Sequence, residues 1–258
     1  MPESYEIADL TWQELDAATE KTSTLLLPVG STEQHGHHLP LGVDTYMPEA
    51  ICRRVAERSS CLLAPSIPYG VSPHHTFKPG TVTVESETFR RYVRDVCAST
   101  TEWGIENVLL VNGHYLVQDP ELEIVVRDLR TEHDMRAFHV PLVTLFEDVA
   151  REIRQTELSF HASEFETSMM LALFPELVSM DRAKATSIDH EPLPLTDYDA
   201  LGDNQVGWAL SAEEMAELTS TGNLGDPTAA TAETGEKLVE TVVSKMGSLV
   251  DALENSEN

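Results

Sequence analysis

Lysine is nearly missing from this sequence, with five residues in 258. Arginine does not make up the shortfall: 17 basic side chains stand against 44 acidic ones, for a formal net charge of −27. A surface of that sign repels nucleic-acid phosphates and anionic membranes, so neither is an expected partner. Self-repulsion on this scale destabilises a compact chain in dilute buffer. In molar salt it fades, because the Debye length falls to about 3 Å. The acids therefore read as the surface of a halophilic protein in a salt-rich cytoplasm. Cysteine is scarce too. Cys52, Cys61 and Cys97 are odd in number and show no C-x-x-C spacing. That argues against a disulfide framework or a zinc ribbon and for buried thiols in a reducing compartment. No apolar run approaches the roughly 18 residues of a membrane helix. MPESYEIADL also lacks the basic stretch and apolar run of a signal peptide. A cytoplasmic location is expected.

What is present concentrates between Leu25 and Asp44, LLLPVGSTEQHGHHLPLGVD. The run Leu25-Leu26-Leu27 followed by Pro28-Val29-Gly30 reads as a short buried strand that stops at a glycine. Glu33, His35, His37, His38 and Asp44 follow at once. Glu33 and His35 are two apart, so in extended backbone both side chains leave the same face. Pro40 and Gly42 let the loop turn back and bring Asp44 to that pair. Nitrogen and oxygen donors so placed, just past a strand end, suit one or two divalent metals.

The remaining pattern alternates strands and helices. Thr11 three before Glu14 predicts a capped first turn. Strands are expected at Thr24–Val29, Cys61–Pro65, Asn107–Asn112 and Arg136–Leu142. Helices are expected at 45–58, 88–103, 120–133, 145–157 (a lid or a crossover), within 159–174, and at 228–253, with 175–227 irregular. With 41% apolar residues the chain can bury a substantial core. The fold class is α/β, a three-layer sandwich with a mostly parallel sheet, in one domain over residues 1–258.

Three strand-end loops carry polar side chains suited to catalysis. The first holds Glu33, His35 and Asp44, the second Asn112-Gly113-His114, and the third His161, Glu164 and Glu166. In a parallel sheet such loops open at one edge, where residues distant in sequence can meet. Singly, each has a plainer role: a turn at Asn112-Gly113, acids suited to a helix start at Glu164 and Glu166, loop histidines at His74 and His75. Jointly they match the ligand inventory of a dinuclear zinc, manganese or iron site, with Asp44 able to bridge.

These residues also carry a resemblance. PVGSTEQHGHHLPLGVDTYMPEAI resembles the first motif of the creatininase (creatinine amidohydrolase) family. YGVSPHH with PGT, then VNGHY, HASEFETSMMLALFP and GNLGDPTAATAETG, follow in the family's order, so the likeness spans roughly residues 22 to 240. The resemblance implies a Rossmann-like α/β fold, two divalent metal ions, amide C–N hydrolysis and a homo-oligomer, commonly a hexamer. It places Glu33, His35, Asp44 and His114 on metal positions with Asp44 as the bridge. His161 falls on a proton-shuttling histidine, Glu166 on an acid near the metals, and the loop holding His75 and Gly80 near the active site. Glu166 is thus a candidate both for catalysis and for metal ligation, and His75 and Tyr115 are the expected substrate contacts.

Two departures stand out. Creatininases carry a metal-binding glutamate two residues after the histidine of NGHY, where this chain has Leu116, and Glu166 is the candidate to supply the missing carboxylate. There is also no tryptophan between Gly104 and Val206, where creatininases surround substrate with indoles. The reading is a metal-dependent hydrolase of non-peptide C–N bonds in a small cyclic or linear amide. On this reading the metals would supply Lewis acidity and an acidic water for attack on the carbonyl, and His161 would hand a proton to the leaving nitrogen, oriented by Glu166 or Glu164. A formamide deformylase acting on a formamidopyrimidine ribosyl phosphate, as in flavin and deazaflavin synthesis, is the second expectation. A non-catalytic metal-binding scaffold is the third.

Overall fold

The structure, a computed structural model, describes residues 5–188, 193–194, 196–202 and 209–256. At its centre lie β1 (Thr24–Val29) and β3 (Asn107–Asn112), two six-residue runs buried along their whole length. Such strands are near-continuous Leu and Val because helices cover both faces of a parallel sheet. β2 (Leu62–Leu63) and β4 (Arg136–Pro141) flank them, giving the order β2-β1-β3-β4 with every pair parallel. Side-chain alternation divides the core in two. Leu26, Leu109 and Val111 point to one side, with Ile51 and Val55 of α2 (Val43–Arg58), and with the helices α5 (Leu142–Ile153), α6 (Glu164–Leu173) and α8 (Ala232–Glu254). Leu25, Leu27, Val108 and Leu110 point to the other, against Phe89 and Val93 of α3 (Ser86–Ser99) and Leu122 and Leu129 of α4 (Asp119–Glu132). The result is the three-layer α/β arrangement. The chain leaves β1 toward β2 and then crosses to β3 on the opposite side. The β1/β3 boundary is therefore the switch point, where the following loops part and open a crevice.

Several elements differ from expectation. α2 starts at Val43, so Asp44 sits in its first turn, where the helix dipole favours a carboxylate. Pro48 lies inside that helix and donates nothing to the Asp44 carbonyl. Gly30 and Gly113 pack on that same carbonyl: an added Cβ would come within 2.5 and 2.0 Å of it. Gly113 is thus more than a turn residue, since it lets the β3 end approach α2. α5 begins directly after β4 and buries Phe146 and Ala150 against the core, so it is no lid. The 175–227 stretch is less irregular than expected. It holds α7 (Ala212–Leu218), capped by Ser211 and Glu214, and β6 (Leu224–Gly225). β6 pairs antiparallel with β5 (Ser159–His161), which places His161 at a strand end rather than in a loop. The Thr11–Glu14 capping box is present, on α1 (Trp12–Thr19). The first four residues and the last two of the ENSEN tail lie outside the described residues. Among the described residues no helix is long and apolar enough to cross a membrane.

Candidate metal centre

Four loops meet above the β1/β3 boundary. The loop after β1 turns back through a Glu33 N–H to Leu41 carbonyl bond of 2.9 Å, which sets Glu33 and His35 facing the start of α2. His35 Nε2 lies 3.1 Å from Asp44 Oδ1, while its Nδ1 is held 3.2 Å from the Glu33 carbonyl. A carbonyl only accepts, so Nδ1 carries the proton in neutral His35 and Nε2 offers its lone pair to the centre. From the loop after β3, His114 Nδ1 stands 3.3 Å from Glu33 Oε2 and 3.2 Å from Asp44 Oδ2. Its other nitrogen faces Ser72 Oγ at 3.3 Å. Asn112 fastens this loop by donating to the His114 carbonyl (2.8 Å) and to Asp119 Oδ1 (2.6 Å).

His161 and Glu166 close the far side. His161 Nε2 lies 2.7 Å from the Gln34 carbonyl, so that nitrogen is the donor, and Nδ1 looks toward Glu33 Oε1 at 3.9 Å. Ala162 takes a left-handed backbone (φ 47) and donates its N–H to Glu166 Oε2. The other oxygen, Oε1, is left 3.9 Å from His35 Nε2. Glu164 points elsewhere. It accepts from the Gln155 and Thr156 backbone N–H groups at 3.0 Å and from Thr156 Oγ1 at 2.7 Å. Contrary to expectation, it therefore does not orient His161; Glu166 does not contact that imidazole either, and the group that holds it is the Gln34 carbonyl.

Three groups of donor atoms lie mutually within 4.8 Å: Glu33–Asp44–His114, His35–Asp44–Glu166 and Glu33–His35–His161. Asp44 belongs to the first two and turns one oxygen to each. Both oxygens of Glu33, and Oδ2 of Asp44, are buried and make no hydrogen bond, although imidazole nitrogens of His75 and His114 stand 3.2–3.3 Å away. Carboxylates so desolvated are stable only when paired or when they hold a cation. The donor set, imidazole and carboxylate, fits zinc, manganese or iron. Leu116 contributes no donor, and Glu166 is the carboxylate beside His35 and Asp44.

Without a cation, protons compensate the charge. Burial pushes Glu33 up to about 7, against the pull of His114 and His35. For His35, burial works downward, but the Asp44 carboxylate, with Glu166 and Glu33, raises it to about 10. His114 behaves alike: Glu33 and Asp44 outweigh burial and lift it to about 9. Asp44 is held far below the usual carboxylate range, since His35 and His114 overcome its burial. His161 and His75 go the other way. Burial and neighbouring imidazoles keep both well below the ordinary histidine value, so both are neutral bases.

A cavity of about 520 Å³ opens on this centre, lined by Asp44, His74, His75, His114, His161 and Glu166. Its other walls are Tyr115, Leu116, Val117, Pro120, Phe160, Ala209 and Leu210. The expected substrate contacts His75 and Tyr115 thus both line it. His75 stacks on His161 with centroids 4.0 Å apart. His37 is exposed, and His38 turns away to Thr167 Oγ1 at 2.9 Å. Sequence reasoning missed Gln34. Its amide donates to the Gly222 carbonyl and to His75 Nδ1, both at 2.9 Å. It also missed Phe160, Ala209 and Leu210. For the last two a signal existed, because the Ser211–Glu214 capping box announces a helix just behind them.

Fold and site together define an α/β protein with a candidate metal centre at its sheet edge, and comparison with known proteins places it further. The model of a family described as creatininase, creatinine amidohydrolase, matches residues 8–250. The chain belongs to the creatininase family. It is 31% identical over 263 residues to a creatinine amidohydrolase of Pseudomonas putida, covering 94% of this chain and 95% of that one. It is 32% identical over 229 residues to a mycofactocin precursor peptide peptidase of Mycobacterium ulcerans, covering 85% and 81%. A solved structure titled creatininase Mn superposes with a TM-score of 0.81 at 27% identity, over 98% of this chain and all of that one. A related creatininase structure is described as Zn-Zn type.

Proposed function

We propose that this protein is a dinuclear metal hydrolase that cleaves the C–N bond of a small, uncharged, non-peptide amide. The observation that carries this reading is Asp44, shared between two donor groups beside a buried His161 whose Nε2 is held by the Gln34 carbonyl. Glu33, Asp44 and His114 would hold one ion, and His35, Asp44 and Glu166 the other. Zinc and manganese are the first candidates, since creatininase structures are described with each, and the donors admit iron as well. Such ions supply Lewis acidity toward an amide carbonyl and make water acidic near neutral pH. The chain's own residues manage protons and geometry. With Nε2–H committed to the Gln34 carbonyl, His161 has only Nδ1 free to take a proton and pass it to the departing nitrogen. His75 Nδ1 accepts from Gln34, which leaves its Nε2–H on the side of Glu33 Oε1, 3.3 Å away and outside hydrogen-bond geometry. His35 donates Nδ1–H to the Glu33 carbonyl, the outer hydrogen bond that fixes a ligating imidazole.

The formamidopyrimidine ribosyl phosphate is disfavoured as substrate. No lysine or arginine stands among the described residues lining the cavity, so nothing there matches a phosphate. A scaffold without activity is opposed by the intact donor groups and by a free base at His161. The test is turnover by metal-loaded protein of creatinine, simple lactams, a formamidopyrimidine and, because one relative is named as a peptidase, a short peptide. Hydrolysis of a lactam or creatinine, lost in His161→Ala with metal content kept, is the predicted result. Cleavage of the peptide alone would overturn the non-peptide assignment, and no hydrolysis of any amide would overturn the enzyme reading.

A further inference from the structure

Resting on the hydrolase reading above, we infer that the amide substrate carries a bulky, uncharged apolar substituent, and that Leu116 is the residue that selects it. The walls of the cavity divide by chemistry. Among the described residues, every charged or imidazole side chain lining it belongs to the cluster of the metal centre or its flanking histidines. Beyond these, the described lining offers a single side-chain polar group, the Tyr115 hydroxyl, and otherwise Leu116, Val117, Pro120, Phe160 and Leu210 with Ala209. A polar substituent placed there would lose water and gain one partner, which is unfavourable. An apolar one would gain burial. Size points the same way. At about 520 Å³ the cavity falls within the range of about 300–1,000 Å³ that holds drug-sized ligands, so a bare amide would leave most of it unfilled.

Leu116 adds an independent observation. Its backbone is left-handed, φ 67, although it is neither glycine nor asparagine. That conformation is strained for a γ-branched residue. It is imposed by Asp119, whose Oδ2 accepts the Leu116 N–H at 2.9 Å. Asp119 is itself anchored, since its Oδ1 accepts from Asn112 at 2.6 Å and lies 2.9 Å from His139 Nε2. The same carboxylate therefore sets the His114 loop and holds Leu116, a residue 40% exposed, on the cavity wall. Glycine or asparagine would adopt this backbone at lower cost, so a strained leucine presented to a cavity points to a use for its apolar side chain in binding.

The test uses hydroxamates, which chelate metal through one constant head while the tail varies. Binding of acetohydroxamate, butyrohydroxamate and hexanohydroxamate to the metal-loaded protein is measured by calorimetry. Affinity should climb about threefold to fourfold per methylene, on the order of 100-fold across the series. Leu116→Asn, suited to a left-handed backbone and so able to fold, should flatten that climb, and Leu116→Met should keep it. A series that binds without climbing, or a climb untouched by Leu116→Asn, would overturn the inference and leave the hydrolase reading standing. Failure of every hydroxamate to bind would overturn both.

Discussion

The carbonyl oxygen of Gln34 lies 2.7 Å from Nε2 of His161, and this contact decides which imidazole nitrogen faces the carboxylates. The Gln34 side chain reinforces the arrangement through Gly222 and His75. Replacing it, Gln34→Ala, leaves the buried His75 Nδ1 without its donor and frees that ring to change tautomer. Turnover should fall on the order of 10- to 100-fold with metal content unchanged. Unaltered kcat with full metal loading would contradict the role given to Gln34.

Protons and metal compete for the same atoms. In the metal-free protein neighbouring carboxylates, against the effect of burial, raise His35 to about 10 and His114 to about 9. Both are charged at neutral pH and must deprotonate to bind a cation, so metal affinity should rise with pH and binding should release protons. Because their folded values exceed the unfolded value of about 6.5, these groups stabilise the metal-free fold fully below that pH. That contribution fades as pH rises through about 9 and then about 10. Calorimetric titration with zinc in buffers of different ionisation enthalpy reports the released protons. A binding enthalpy that ignores the buffer would refute the competition.

Leu116→Asn should stabilise the protein. Relief of the left-handed strain is worth roughly 1 kcal/mol, and little burial is lost from a residue that is 40% exposed. Urea denaturation of the metal-free variant should show a higher midpoint. A loss exceeding roughly 1 kcal/mol would mean that Leu116 is a packing residue rather than a strained wall.

The acidic surface makes a separate prediction. With a formal charge of −27, self-repulsion should weaken as salt is added. Between about 0.1 M and 1 M KCl the Debye length drops from about 10 Å to about 3 Å. The thermal midpoint should climb over that range. A midpoint that stays level or falls would argue against adaptation to salt.

What the sequence made legible follows from where the information is local. β1 and β3 were readable because a buried parallel strand is an apolar run bounded by polar and glycine residues. Glu33, His35, Asp44 and His114 were readable because they follow those strands. β5 and β6, three and two residues long, carry no periodicity and exist through each other. Gln34 escaped notice because an amide's importance lies in its partners, and Gly222 and His75 are distant in sequence. Glu164 misled because a carboxylate in a first helical turn looks the same whether it faces the site or caps a neighbouring loop. The left-handed backbone at Leu116 was hidden because Asp119, three residues on, imposes it.

Asp44 is the carboxylate that two ions would share. Elemental analysis of protein purified in high salt and dialysed against a defined zinc buffer tests this directly, with Asp44→Asn beside the wild type. Two equivalents of metal per wild-type chain and loss of both in Asp44→Asn is the predicted result. A wild-type chain that takes up one equivalent or none, or a variant that keeps two, would contradict it.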